Sequence, residues 1–177
     1  MLRLFAAIET PQTHRTLLSM VSGPLPGAKW IDAEDMHLTL RFAGDIDNRV
    51  ANDFADFLAG IDIAPFSVRI TGLGAFGDRE PRSIHAEVDG GERLEALQRA
   101  TDRAARSADI ATEPRAYKPH ITLARLRGVP PETVAHFLGS RGRLDLAPFT
   151  VDRFVLYSAR PKVGGGPYVV EETFGLG

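Results

Sequence analysis

The sequence predicts an α+β protein with mixed, largely antiparallel sheets. Short runs of alternating apolar and polar residues mark strands, and several adjoin across short turns rather than across helices. Between them lie runs with apolar residues at helical spacing. A tetrapeptide of the form His, apolar, Thr, apolar occurs once in each half, as His37-Leu38-Thr39-Leu40 and His120-Ile121-Thr122-Leu123. The elements around the second copy follow much the order of those around the first, which suggests a duplicated architecture. The 177 residues, 44% of them hydrophobic, suit one domain, or one domain of two similar lobes.

Leu2–Glu9 reads as a buried strand. Pro11 suits a first helical turn, and the helix His14–Val21 closes at Gly23-Pro24-Leu25-Pro26-Gly27. His37–Phe42 is a strand ended by Gly44-Asp45. Asn48–Leu58 is a helix, with Val50, Phe54, Phe57 and Leu58 at helical spacing. Phe66–Leu73 alternates as a strand, and Gly72, Gly74 and Gly77 mark a turn-rich loop. Ser83–Val88 is a short strand stopped by Asp89-Gly90-Gly91. Glu92–Ala108 is the clearest helix, with Leu94, Leu97, Thr101, Ala104 and Ala108 on one stripe. Pro119 introduces the strand His120–Leu126, and Pro130-Pro131 opens a helix that runs to Leu138. Phe149–Tyr157 is a strand that pairs with Pro167–Phe174 across the loop Lys162–Gly166.

The net charge of -2 argues against a large non-specific nucleic-acid surface, though not against a small pocket for one RNA end. With no cysteine there is no disulfide, thiolate nucleophile or cysteine-ligated zinc. The apolar run Met1–Ile8 is cut by Glu9, too soon for a secretory signal, and no stretch nears the roughly 20 apolar residues of a membrane span. A soluble cytoplasmic protein is expected, with no membrane and no obligate protein partner.

Residues two apart in a strand share a face. Each tetrapeptide therefore shows an imidazole and a hydroxyl on one side and buries aliphatic groups on the other. A lone strand histidine is usually structural. A shuffled chain of this composition would carry the pattern at two of its five histidines roughly once in a thousand times, so the pair points to function. Near neutrality one imidazole can be neutral while another is protonated. One takes a proton from water, and the other gives one to a leaving oxygen. Thr39 and Thr122 can donate to the non-bridging oxygens of a bound phosphate. A cyclic phosphodiester suits this equipment, because in-line attack and ring opening need one base and one acid.

Other chemistries lack their residues. There is no P-loop, diagnostic carboxylate pair or serine elbow, and Gly164-Gly165-Gly166 reads as a hairpin loop. The two His-x-Thr pairs supply only two good metal ligands where zinc needs three or four, so no metal or cofactor is expected. Asp32, Glu34 and Asp35 read as a solvated loop, His14 and His136 as ordinary helix positions, and Arg99, Arg103 and Arg106 as a solvated face.

These residues resemble the two-histidine phosphoesterase superfamily, and within it the 2′-5′ RNA ligase family, also described as RNA 2′,3′-cyclic phosphodiesterases. The likeness extends to Arg3-Leu4-Phe5-Ala6-Ala7-Ile8-Glu9, Trp30, Arg41-Phe42-Ala43-Gly44, Gly72-Leu73-Gly74-Ala75-Phe76, Pro81-Arg82, Tyr117-Lys118-Pro119, Ala124-Arg125 and Val155-Leu156-Tyr157-Ser158. The resemblance implies one bilobal domain over residues 1–177. Two pseudo-symmetric lobes would each hold a mostly antiparallel sheet with helices outside, and the histidine strands would face across a cleft. It also implies metal-independent opening of a 2′,3′-cyclic phosphate, on RNA or nucleotide ends, to a 2′-phosphate. His37 would be the proton donor toward the 3′ oxygen and His120 the proton acceptor from water, with Thr39 and Thr122 binding the phosphate. Phe42 and Arg125, each fifth after its histidine, resemble a pair that holds the nucleobase. Strict alternation puts both on the face opposite the imidazoles; a strand end or a bulge could re-aim them, which Gly44 makes easier in the first block.

One departure is His85, where relatives often carry Trp. Two readings stand: a cleft residue that alters base preference, or a polar surface residue. The same groups would also catalyse 2′-5′ joining of tRNA halves in reverse. A non-catalytic RNA-end binding module is a third reading, against which the intact His and Thr pairs count.

Overall fold

The computed structural model describes every residue except Asp145, Lys162 and Val163. The strands are β1 (Leu2–Glu9), β2 (Ala28–Trp30), β3 (His37–Ile46), β4 (Phe66–Phe76), β5 (Ser83–Asp89), β6 (His120–Leu126), β7 (Phe149–Val151), β8 (Arg153–Ala159) and β9 (Val169–Gly175). The helices are α1 (Gln12–Ser19), α2 (Asn48–Ala59), α3 (Gly91–Ser107) and α4 (Pro131–Ser140). The strands form one sheet in the order β7-β4-β5-β6-β3-β1-β8-β9, with β2 also paired to β6. Every pairing is antiparallel, so the α+β expectation holds and the sheet is more uniform than the mixed one expected.

This sheet is two halves, β7-β4-β5-β6 and β3-β1-β8-β9, that meet at one residue pair, Leu38 with Ile121. These are the second residues of the two tetrapeptides. An antiparallel pair that matches equivalent residues has a local two-fold axis through it, and the neighbouring strands obey that axis. Ala7, Ile8 and Glu9 of β1 pair with Thr39, Leu38 and His37. In the other half His85, Ala86 and Glu87 of β5 pair with Thr122, Ile121 and His120.

Leu38, Leu40, Ile121 and Leu123 are buried on one side of the sheet, in a core shared with Phe54 of α2, Leu94 and Leu97 of α3 and Phe137 of α4. Each such aliphatic side chain contributes about 1.5–3 kcal/mol of burial. Asp47 caps α2 by accepting from the Val50 N–H at 2.9 Å. A smaller cluster, Phe5, Ala7, Val155 and Tyr157, lies apart from this core. No helix of the described residues is long and apolar enough to cross a membrane.

Several boundaries differ from the sequence reading. β3 continues to Ile46, because Gly44 adopts φ +77° and still pairs with Leu4. β4 runs through Gly72 and Gly74 to Phe76, where a loop was expected. A Cβ at position 74 would lie 2.7 Å from Glu87 Oε1 and 2.9 Å from His85 Nε2. Glycine there lets β5 side chains lie across β4. Phe149–Tyr157 is not one strand. β7 pairs with β4 and β8 with β1, in opposite halves of the sheet. Two consecutive exposed polar residues, Asp152 and Arg153, interrupt the alternation at the break. β2 occupies a stretch to which the sequence reading gave no element, and a 3-10 turn at Ala33–Asp35 lies where a solvated loop was read. β8 and β9 pair as expected, while Lys162 and Val163 of their expected connecting loop lie outside the described residues.

Candidate active site

The register at Leu38 and Ile121 decides the site. Continued by one residue on either side, it sets His37 across from Thr122 and Thr39 across from His120. Leu38 and Ile121 point into the core, so all four polar residues share the opposite face. His37 Nδ1 donates to the Asp35 carbonyl at 2.8 Å, and His120 Nδ1 donates to the Lys118 carbonyl at 2.7 Å. A carbonyl only accepts, so the hydrogen sits on Nδ1 and each neutral ring keeps its lone pair on Nε2. The same device occurs twice, each time two residues upstream of the histidine.

Each imidazole stands among aromatic rings. His37 packs on Phe5 at 4.9 Å, on Tyr168 edge-on at 5.1 Å and on Tyr157 at 5.8 Å between centroids. His120 meets Phe76 edge-on at 4.8 Å and His85 at 5.3 Å, and Phe76 and His85 stack at 4.2 Å. Burial disfavours the charged forms. It pushes His37 down to about 4, opposed by the Asp35 carbonyl and reinforced by the charges of His120, Arg125 and Arg15. His120 is also lowered by burial, against the Lys118 carbonyl. His85 is pushed down to about 4 by burial and then by the His120 charge. Burial raises the Tyr157 hydroxyl to about 12.

Phe42 and Arg125 are re-aimed by bulges. In the β1–β3 pairing an extra residue falls at Leu40, and in the β5–β6 pairing one falls at Leu123. Leu40-Arg41 and Leu123-Ala124 are thus consecutive buried pairs that reverse the alternation. Phe42, 56% exposed, lies 5.5 Å from Phe5, the ring that also touches His37. Arg125 faces out beside Ser83, its partner on β5.

Phe42 and Arg125 lie on either side of the Leu38–Ile121 pair along their strands, Phe42 on the Phe5 ring that also touches His37 and Arg125 close enough for its charge to act on the His37 ring.

His85 is buried at 5% exposure and lines a groove of about 640 Å³ with Phe76, Arg82, Glu87 and Lys118. Of its two sequence readings, the structure gives the cleft residue. His14 is structural, its Nε2 2.6 Å from the Ala147 carbonyl. Arg99 and Arg106 pair with Glu92 and Asp102 on the exposed face of α3.

Sequence reasoning missed four contributors. Asp35 was read as solvated, yet its carbonyl orients His37 and its carboxylate accepts from the Tyr168 N–H at 3.4 Å. Arg15 of α1 lies against the Tyr157 hydroxyl, and its Nε is buried without a partner. Arg41 is 5% exposed, pairs with Asp102 at 2.9 Å, and donates to the carbonyls of Phe42 and Ala111. Tyr117 donates to the Thr39 carbonyl at 2.8 Å, so the segment leading into β6 is tied to β3. The signal for Tyr117 and for Arg41 was their place within the quoted family blocks; Asp35 and Arg15 carry none.

The fold and face together define a duplicated α+β protein that presents two imidazoles and two threonine hydroxyls from pseudo-symmetric strands. The chain belongs to the 2′-5′ RNA ligase superfamily, whose family model matches residues 11–162. It is similar to the RNA 2′,3′-cyclic phosphodiesterase of Bacillus subtilis (strain 168), 38% identical over 100 residues, 55% of each chain. It is also similar to that of Thermus thermophilus, 31% identical over 189 aligned positions, covering 99% of this chain and 90% of the relative. The matched stretches span about half of the Bacillus subtilis and Aeropyrum pernix relatives, 55% and 58% of their lengths. Among solved structures, a Thermus thermophilus protein superposes with a TM-score of 0.77 at 27% identity, covering 98% of this chain and 97% of that one. Escherichia coli LigT complexed with 3′-AMP has the same fold, at a TM-score of 0.75, 21% identity, and coverage of 99% and 98%.

Proposed function

We propose that this cleft opens 2′,3′-cyclic phosphate ends of RNA or nucleotides to a 2′-phosphate, by two-histidine acid–base catalysis without a metal. The observation that carries the reading is the pair of Nε2 lone pairs on one face, each ring fixed through Nδ1, beside Thr39 and Thr122. Relatives named RNA 2′,3′-cyclic phosphodiesterase support the substrate class.

In the reaction, His120 Nε2 takes a proton from water as its oxygen attacks phosphorus. The P–O3′ bond breaks, and O3′ takes a proton from His37 Nε2. Thr39 and Thr122 donate to the non-bridging oxygens as charge gathers there. The free protein holds His37 low, so this order requires the bound phosphate anion to load His37 with its proton.

Purified protein in chelator should open a 2′,3′-cyclic mononucleotide. His37→Ala and His120→Ala should each lose at least about a hundred-fold in turnover. Undiminished turnover in either variant rejects the acid–base pair, and tight binding of the cyclic end without turnover favours a binding module. A substrate with sulfur in place of the 3′ oxygen needs no proton donor. It should rescue His37→Ala and not His120→Ala; the opposite pattern reverses the two roles.

A further inference from the structure

The local two-fold axis gives each site threonine a partner on the neighbouring strand of its own half. Across from Thr39 stands Ala7, and across from Thr122 stands His85. Both partners are buried, Ala7 at 0% and His85 at 5% exposure, so the fold accepts a methyl group in one half where it carries an imidazole in the other. The His85 Nδ1 is buried with no hydrogen-bond partner among the described residues. A buried polar atom left unpaired opposes folding, so packing does not account for this side chain. The ring stacks on Phe76 and stands against His120, and its Nε2 borders the space over Gly74 together with Glu87 Oε1. Ile84 and Ala86 point into the core, so His85 lies on the polar face with Thr122. Residues directly opposite in an antiparallel pair have Cβ atoms about 5 Å apart, a separation that a hydrogen bond between a ring nitrogen and a hydroxyl spans. Nδ1 is the ring nitrogen nearer the main chain. Of the two residues across from His85, Gly74 has no side chain and Thr122 has a hydroxyl. Burial pushes His85 down to about 4, so near neutrality one ring nitrogen carries a hydrogen and the other a lone pair.

We propose that His85 is a positioning residue for Thr122: with phosphate bound, its Nδ1–H donates to the Thr122 hydroxyl oxygen, so that the hydroxyl hydrogen points at a non-bridging oxygen. This rests on the reading of Thr122 as a phosphate donor. A hydroxyl has one hydrogen and two lone pairs. With a lone pair engaged by Nδ1–H, its hydrogen stays directed at the anion, and chained hydrogen bonds of this kind strengthen one another. Thr39, opposite a methyl group, has no such support, so the device serves one half only.

The test measures the dissociation constant of inorganic phosphate and kcat/KM for a 2′,3′-cyclic mononucleotide. His85→Phe keeps a ring against His120 and removes both nitrogens; His85→Leu serves the same purpose if the larger ring does not fit beside Gly74. His85→Asn removes the ring and keeps an N–H donor at the place of Nδ1. His85→Phe should weaken phosphate binding and lower kcat/KM about three- to tenfold, the scale of one lost hydrogen bond. His85→Asn should retain most of the phosphate affinity. In a Thr122→Val background His85→Phe should cost nothing further, while in a Thr39→Val background it should cost its full factor. A merely structural role loses equally in both backgrounds. Such equal losses overturn the inference, as does a phosphate affinity that His85→Phe leaves unchanged or improves, or His85→Asn binding no better than His85→Phe. If Thr122→Val itself binds phosphate as tightly as the native protein, the reading of Thr122 fails, and the inference fails with it.

Discussion

A histidine whose Nδ1–H is held by a main-chain carbonyl cannot flip its ring without losing that bond. Asp35 and Lys118 impose this on His37 and His120 and leave Nε2 as the working nitrogen. Burial lowers both rings. A lowered pKa means that each ring releases its proton at a lower pH, so the acid form is lost early while the base form is available early. The window with one ring neutral and the other charged therefore lies on the acid side of the ordinary value near 6.5. The bell of kcat/KM against pH, which reports the free protein, should centre below about 6.5. A bound phosphate raises both rings, so the kcat bell should sit to its alkaline side. Measured profiles centred above neutrality for kcat/KM contradict this account. Among these residues the two His and two Thr were legible, because a two-residue spacing in a strand fixes a shared face. His85 was not. Alternation says which face a side chain takes, and Phe76 and Gly74, distant in sequence, decide that it is buried.

At the level of strands, bulges and glycines set what the imidazoles can touch. The extra residues at Leu40 and Leu123 return Phe42 and Arg125 to the polar face, which simple alternation denies them. Gly74 leaves room for His85 and Glu87, and a methyl group there would meet them at 2.9 and 2.7 Å. Gly74→Ala should cost about 1–3 kcal/mol in urea unfolding and lower turnover several-fold, because His85 is held by Phe76 and shifts against His120. Unchanged stability and turnover together show that the close approach constrains nothing. The short β2 was not legible in sequence, because it is set by its partner strand β6 and not by local pattern. The break at Asp152 has a local mark, the polar pair Asp152-Arg153, but only the partners β4 and β1 show that the two pieces lie in opposite halves of the sheet.

Across the whole molecule, the two halves share one paired junction among the described residues, supplemented by the Tyr117 hydroxyl and by the Arg41 side chain on Asp102 and the Ala111 carbonyl. On the proposed reading, an anion held by Thr39 from one half and Thr122 from the other would bridge that junction and bind only the folded state. Inorganic phosphate at ten times its dissociation constant should add about 1.4 kcal/mol of stability. For a chain of this size that raises Tm by about 3–6 °C. Replacing both threonines by alanine should abolish the shift in a thermal melt, and an undiminished shift places the anion elsewhere.

The amino-acid order alone specified the α+β class, the duplication, and the four polar residues of the candidate site, because period-two alternation and a repeated tetrapeptide are local properties. It did not specify that Leu38 meets Ile121, and everything at the site depends on that contact. Pairing equivalent residues of antiparallel strands gathers the imidazoles at the junction and sets Phe42 and Arg125 on either side of it. Register between distant strands comes from burial of their shared apolar face, which only the assembled sheet can provide.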